Sequence, residues 1–294
     1  MPVKPLRDVI QNKLSDIGFE RVEFSDKPNP NETVKERLVE GIGCDVSFIN
    51  NDEFEVVMSP QNYYRLLATD FYFSYQKIIN HRDQLADNKI KSFALPWILV
   101  TTYYSSFFSS IELSRLFGLY NMYLNDEHCR KISSGVNSDF TIAKGVYIGG
   151  VRMDSQGYIK IVFSKKRGSR PHEFAWHNVL EIFRKISTNS NQKNYITISE
   201  VKKILGTKNE IGSPNNIRND WNYSYVNSYD PSFCSDVDDI RDYFFRQQYR
   251  KIFSIMKSLQ SHTTKKQKIL SVIFFERILF GVMESLKDKI YEEV

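Results

Sequence analysis

Cysteine is scarce in this chain. Its 294 residues include three, Cys44, Cys129 and Cys234, odd in number and far apart, with no C-x-x-C pair. That pattern excludes a disulfide framework and a thiolate zinc site, and it predicts free thiols in a reducing cytoplasm. The local signatures of several common enzyme chemistries are missing too. There is no G-x-S-x-G, no P-loop, no glycine-rich dinucleotide fingerprint and no carboxylate cluster at metal spacing. No cofactor and no metal are therefore expected. The start, MPVKPLRDVIQNKL, has no apolar core run and does not read as a signal peptide. No internal repeat or low-complexity segment stands out.

Long charge-free runs are lacking with one exception. Ser92 to Ile111 spans 20 residues without a charge, about the length a bilayer requires. Seven of these are Ser or Thr, and Pro96 and two Tyr break the apolar character further, so a buried helix is expected and no membrane partner.

What the chain does have is aromatic rings: 21 Phe and 17 Tyr in a composition that is 41% hydrophobic and 26% charged. Such a composition folds, and the ring excess suits thick helix packing, base stacking or both. The formal net charge of +5 permits an anionic partner without requiring one.

Periodicity divides the chain as follows. Leu6, Val9, Ile10, Leu14 and Ile17 predict a short amphipathic helix. KPNPNE at 27–32 predicts a loop, and CDVSFINNDEFEVVM a β-hairpin turning at Asn50, Asn51 and Asp52. Residues 63–79 read as helix. A long helix is expected from about Pro96 to Leu124, with Trp97, Val100, Tyr104, Phe107, Phe108 and Ile111 as its apolar stripe and Ser105, Ser106, Ser109 and Ser110 admitting a close neighbour. GVYIGGVRMDSQGYIKIVFS at 145–164 predicts a second hairpin about DSQG. Helices are expected over 172–187, 198–205, 236–260 and 267–291, the last two as a helical hairpin. The last is apolar nearly all round, which predicts a helix central to its domain or buried by a second copy. The expected fold class is mainly α: a helical bundle over 61–294 with two inserted β-hairpins, the second at about 135–165, and an N-terminal appendage over 1–60.

The densest candidate site is SPNNIRNDWNYSY at 213–225. Ser213 suits an N-cap and Pro214 a first helical residue. In a helix, Arg218, Asn222 and Tyr225 share a face, while Tyr223 stands about 140° from Arg218. Arginine offers a planar fork that matches phosphate, and tyrosine can stack a base or bond an oxygen. The plainer alternative is that Trp221 and one Tyr are core and Arg218 pairs with a carboxylate.

The run R-N-x3-Y-x-Y at Arg218, Asn219, Tyr223 and Tyr225 resembles the R-x4-6-H motif of the HEPN superfamily, some of whose families carry tyrosine at the histidine position. Those families also have a YY-x-x-F helix, which YYSSFFSSIELSRLFG from Tyr103 resembles, and a histidine-bearing helix start, which GSRPHEFAWHNVLEIF resembles. The likeness covers roughly 95–260. It implies a helical bundle that dimerises over RNA and cuts it without metal, the substrate's own 2′-hydroxyl attacking while Arg steadies the phosphate and His moves the proton. Arg218, Asn219 and Tyr223 would then be catalytic, with His172 or His177 supplying the missing imidazole. Tyrosine departs from the motif in a way that matters: with an ordinary pKa near 10, only about a thousandth is ionised at neutral pH.

HEFAWH is not H-E-x-x-H, since His172 and His177 are five apart and point to different faces; Glu173 and His177, four apart, can pair. Lys160, Lys165, Lys166, Arg167 and Arg170 cluster just upstream. They read equally as a lysine-protected edge strand or as a phosphate track. Asn222, Tyr225, Lys165, Lys166, Arg167 and Arg170 are the candidate RNA-binding residues. Lys265, Lys266 and Lys268 read as solubilising. Two functions follow: a HEPN-like RNA-directed toxin or antiphage nuclease, or its degenerate RNA-binding relative; and a non-catalytic helical subunit binding a protein partner of a defence or toxin–antitoxin operon.

Overall fold

The computed structural model describes residues 3–86, 95–166, 171–186, 205, 214–223 and 265–293. They form α1 (Val3–Asp16), β1 (Val22–Phe24), a 3-10 turn (Pro30–Glu32), α2 (Val34–Glu40), β2 (Asp45–Asn50), β3 (Glu53–Met58), α3 (Pro60–Ala86) and α4 (Leu95–Leu116). β4 (Leu119–Leu124), α5 (Asp126–Ser134), β5 (Gly145–Met153), β6 (Ile159–Lys166), α6 (Pro171–Ile186), α7 (Pro214–Tyr223), α8 (Lys265–Ile290) and β7 (Tyr291–Glu293) follow. The chain divides into two compact units. One takes Met1–Leu6, Tyr75–Ser110 and Val179–Glu284; the other takes Arg7–Ser74, Ile111–Asn178 and Ser285–Val294. The expected helices at 198–205 and 236–260 lie outside the described residues, Leu205 apart.

The second unit holds a five-stranded antiparallel sheet in the order β2-β3-β6-β5-β4, and a parallel pair of β1 with β7. Both expected hairpins form, but not as separate insertions. β3 pairs with β6, Glu53 opposite Ser164 through Met58 opposite Ile159, and welds the two into one sheet. A lone hairpin is marginal in water, and each of these has one apolar face to bury. Phe54, Val56 and Met58 on β3 and Ile159, Ile161 and Phe163 on β6 are all buried. The fold is therefore α+β, which corrects the expectation of a mainly α bundle decorated by two hairpins. Phe54 stacks on Phe163 at 5.0 Å. Gly149 permits this, because a Cβ there would lie 2.5 Å from the Phe163 ring.

The fifth strand corrects a second expectation. The helix expected to run to Leu124 stops at Leu116, and 119–124 is β4, paired to β5. Gly118, at φ +81°, ends the helix in the left-handed region that glycine favours. Beyond it Tyr120, Met122 and Leu124 are buried in alternation with more open neighbours, the two-residue period of a strand.

This unit also holds a buried charge cluster. Arg115 Nη1 donates to Asp70 Oδ1 and to Glu112 Oε2, each at 3.0 Å, and Ser74 Oγ donates to Glu112 Oε2 at 2.9 Å. The second Asp70 oxygen accepts from the backbone N–H of Val34 at the start of α2. Alongside, Tyr63 and Tyr120 are joined through their hydroxyls at 3.4 Å, and burial pushes both phenols above their ordinary range.

In the first unit every described residue is helical. From α8, Ile269, Leu270, Val272, Ile273, Phe274, Phe275, Ile278, Leu279 and Phe280 are all buried within the single chain. The all-round apolar character that suggested a second copy is thus satisfied internally, so that argument for a dimer no longer holds. Glu276, on the same helix, is 2% exposed and accepts from Arg82 Nη1 at 2.6 Å and Ser105 Oγ at 3.2 Å. No described helix is long and apolar enough to cross a membrane.

The charge-free stretch of α4 buries its serines by turning them inward on the backbone. Thr102, Ser106, Ser109 and Ser110 donate to the carbonyls of Ile98, Tyr103, Ser105 and Phe107 at 2.6–2.9 Å. A hydroxyl paired this way can be buried without the cost of a lost hydrogen bond.

Candidate functional site

α7 begins at Pro214, as the Ser-Pro signal predicts, and runs to Tyr223. It buries Asn215 and Ile217 and leaves Arg218 and Asn219 half-buried. Arg218 meets the tyrosine pair of α4. Its Nη2 donates to the Tyr104 hydroxyl at 2.7 Å and its Nη1 to Asn219 Oδ1 at 2.6 Å. The guanidinium carbon lies 5.9 Å from the Tyr103 ring centre and 5.6 Å from that of Tyr104, within cation–π range. One turn earlier on α7, Asn215 Oδ1 accepts from the Tyr103 hydroxyl at 3.5 Å. The R-N and Y-Y motifs, 114 residues apart between Tyr104 and Arg218, therefore form one local assembly. Two hydrogen bonds and two ring faces hold the guanidinium fork in a fixed plane, which is what planar recognition of a phosphate requires.

The aromatic stripe continues along α4. Tyr104 stacks on Phe108 at 6.1 Å, and Phe108 stacks on His81 of α3 at 5.7 Å and 14°. Lys77, one turn before His81 and exposed, places its Nζ 5.6 Å from the Phe108 ring. Burial lowers the His81 pKa from 6.5, favouring the neutral imidazole. Nothing in the sequence signalled His81 or Lys77, because neither sits in a motif and a lone histidine on a helix has many ordinary uses.

The expected apolar stripe of α4 is split. Val100 and Phe107 are buried, but Trp97 is 66% exposed, and Tyr104, Phe108 and Ile111 are partly exposed. The serine face is the one buried, because α4 spends its charge-free polar residues inside, where Ser105 meets Glu276.

The other expected site residues that are described lie on α6 and β6. His172 is half-buried and His177 exposed on α6, in the unit that carries the sheet, whereas Arg218 belongs to the other unit. Lys165 and Lys166 end β6, opposite Tyr147 and Val146, and Lys160 is paired with Glu55 at 2.9 Å. The side chains of Asn222 and Tyr223, and all of Arg167, Arg170 and Tyr225, lie outside the described residues. Among the described residues no group of three or more His, Cys, Asp or Glu side chains is placed to hold a metal ion.

No family model, no curated protein and no solved structure matches the chain.

Proposed function

We propose that the chain is an RNA-directed protein of HEPN-like character in which Arg218 grips a phosphate: a metal-independent endoribonuclease, or a relative that binds RNA without cutting it. The supporting observation is the hydrogen bond between Arg218 and Tyr104, which joins the two motifs that carry the resemblance. The reading rests on the helices that bear those motifs, and the sheet plays no part in it. Tyr223 is the proton-transfer candidate at the motif position, with His172 and His177 as the imidazoles named by the resemblance. A homodimer comes with the same reading through the resemblance alone, and a cytoplasmic setting follows from the few, widely spaced cysteines.

A second reading has its own support. The fork of Arg218 already bonds Tyr104 and Asn219, the arrangement of a clasp that pins α7 to α4 in a non-catalytic subunit with a protein partner.

Arg218→Ala separates the two. Under the RNA reading it abolishes RNA binding or cleavage, measured by gel shift and by cleavage in the presence of a chelator, and Arg218→Lys fails to restore it because a point charge lacks the fork. Tyr223→Phe then lowers cleavage with unchanged melting. If Arg218→Ala instead lowers the melting temperature sharply and leaves RNA binding intact, the clasp reading stands.

A further inference from the structure

We infer that the outward face of α4 is a stacking platform for single-stranded RNA, with Trp97 as its leading ring, Tyr104 and Phe108 as its continuation, and Lys77 as a phosphate contact. The inference rests on the RNA-directed reading of Arg218 and adds to it the class of strand and a second set of contacts. Trp97, Tyr104 and Phe108 are seven and four residues apart, so they lie within about 40° of one another around the helix. Along the axis they are about 10 Å and 6 Å apart. Among the described residues Trp97 meets no ring and no hydrogen-bond partner, and it is 66% exposed.

The choice of occupant follows from the pairing of rings with cations. Lys77 Nζ and the Arg218 guanidinium each stand 5.6 Å from a ring of this face, at Phe108 and Tyr104. An apolar helix would cover the rings and strand exposed Lys77, while an acidic peptide would meet Lys77 and leave Trp97 in water. A nucleotide strand supplies both a flat π face and a phosphate at every step. In a duplex the base faces are already stacked, so the match is to an unpaired strand.

The test measures binding of labelled oligouridylate, oligoadenylate and a blunt RNA duplex of the same length to the full chain. Trp97→Ala is expected to weaken binding of both single strands about tenfold, since one base–ring stack is lost, and to leave duplex binding and melting unchanged. Trp97→Phe recovers most of the loss. Lys77→Ala lowers the dependence of log affinity on log salt by about one. Single-strand binding that survives Trp97→Ala and Lys77→Ala unchanged while Arg218→Ala removes it overturns the platform and leaves the Arg218 reading standing. Loss with Trp97→Ala but not with Arg218→Ala does the reverse. If tryptophan fluorescence responds to protein concentration and not to RNA, the face is a self-association surface and the platform is wrong.

Discussion

Along α4, two faces treat polarity in opposite ways. Inward, Ser105, Ser106, Ser109 and Glu112 are all but fully buried, while Trp97, Tyr104 and Phe108 reach solvent on the other side. Burial on the inner face is possible because each polar group has somewhere to bond. Hydroxyls return to carbonyls of their own helix, Ser105 reaches Glu276, and Glu112 is met by Ser74 and Arg115. Arg115 belongs to the same inner side, locked between the carboxylates of Asp70 and Glu112. The lesson is that burial here follows hydrogen-bond satisfaction rather than apolar character alone.

The hardest test of that contrast is Arg115→Ala. It leaves two buried carboxylates without their cation, and unfolding by denaturant should show a loss of about 3–5 kcal/mol. A loss no larger than that of a surface substitution would mean the cluster is far more hydrated than its burial indicates.

Next in size is Ser109→Leu. Filling a tightly packed serine position with a larger side chain should cost about 1–3 kcal/mol, even though it makes the helix more hydrophobic. A stabilised variant would show that the serine face has room, and the comparison of faces would fail.

Glu112 adds a pH signature. Burial raises its carboxyl from the ordinary 4.5 to about 7, against the opposing pull of Arg115. Between those values the folded chain keeps a proton that the unfolded chain releases, so this group's contribution to stability falls as pH rises from 4.5 to 7. Glu112→Gln still accepts from Ser74 and Arg115 but carries no charge. Melting curves across this range should lose that slope, with the variant gaining on the order of 1 kcal/mol above neutrality. Parallel profiles for the two proteins would place the titration elsewhere.

The smallest effect belongs to the outer face. Trp97→Ala should change stability by less than about 0.5 kcal/mol, as for surface substitutions away from special features. A cost of several kcal/mol by thermal or chemical denaturation would make Trp97 part of a core and remove the reason to assign it a ligand.

Local signals carried much of the architecture. The Asn50–Asp52 and DSQG turns, the helix opening at Pro214 and the inward set Leu6, Ile10 and Leu14 on α1 were legible because each depends on neighbours within a few residues. The end of α4 was legible too, in Gly118 and the alternation after it, but the long apolar run ahead masked it. Of the candidate site, the sequence by itself determined the residue types and the helix that carries Arg218. Only the tertiary structure decided that Tyr104 is its partner, that β3 and β6 pair across more than a hundred residues, and that the serine face of α4 turns inward. Helical periodicity states which side chains share a face. It does not state which face goes inside when both can be satisfied, because that depends on hydrogen-bond partners such as Glu276, Asp70 and Ser74, which reach α4 from other helices.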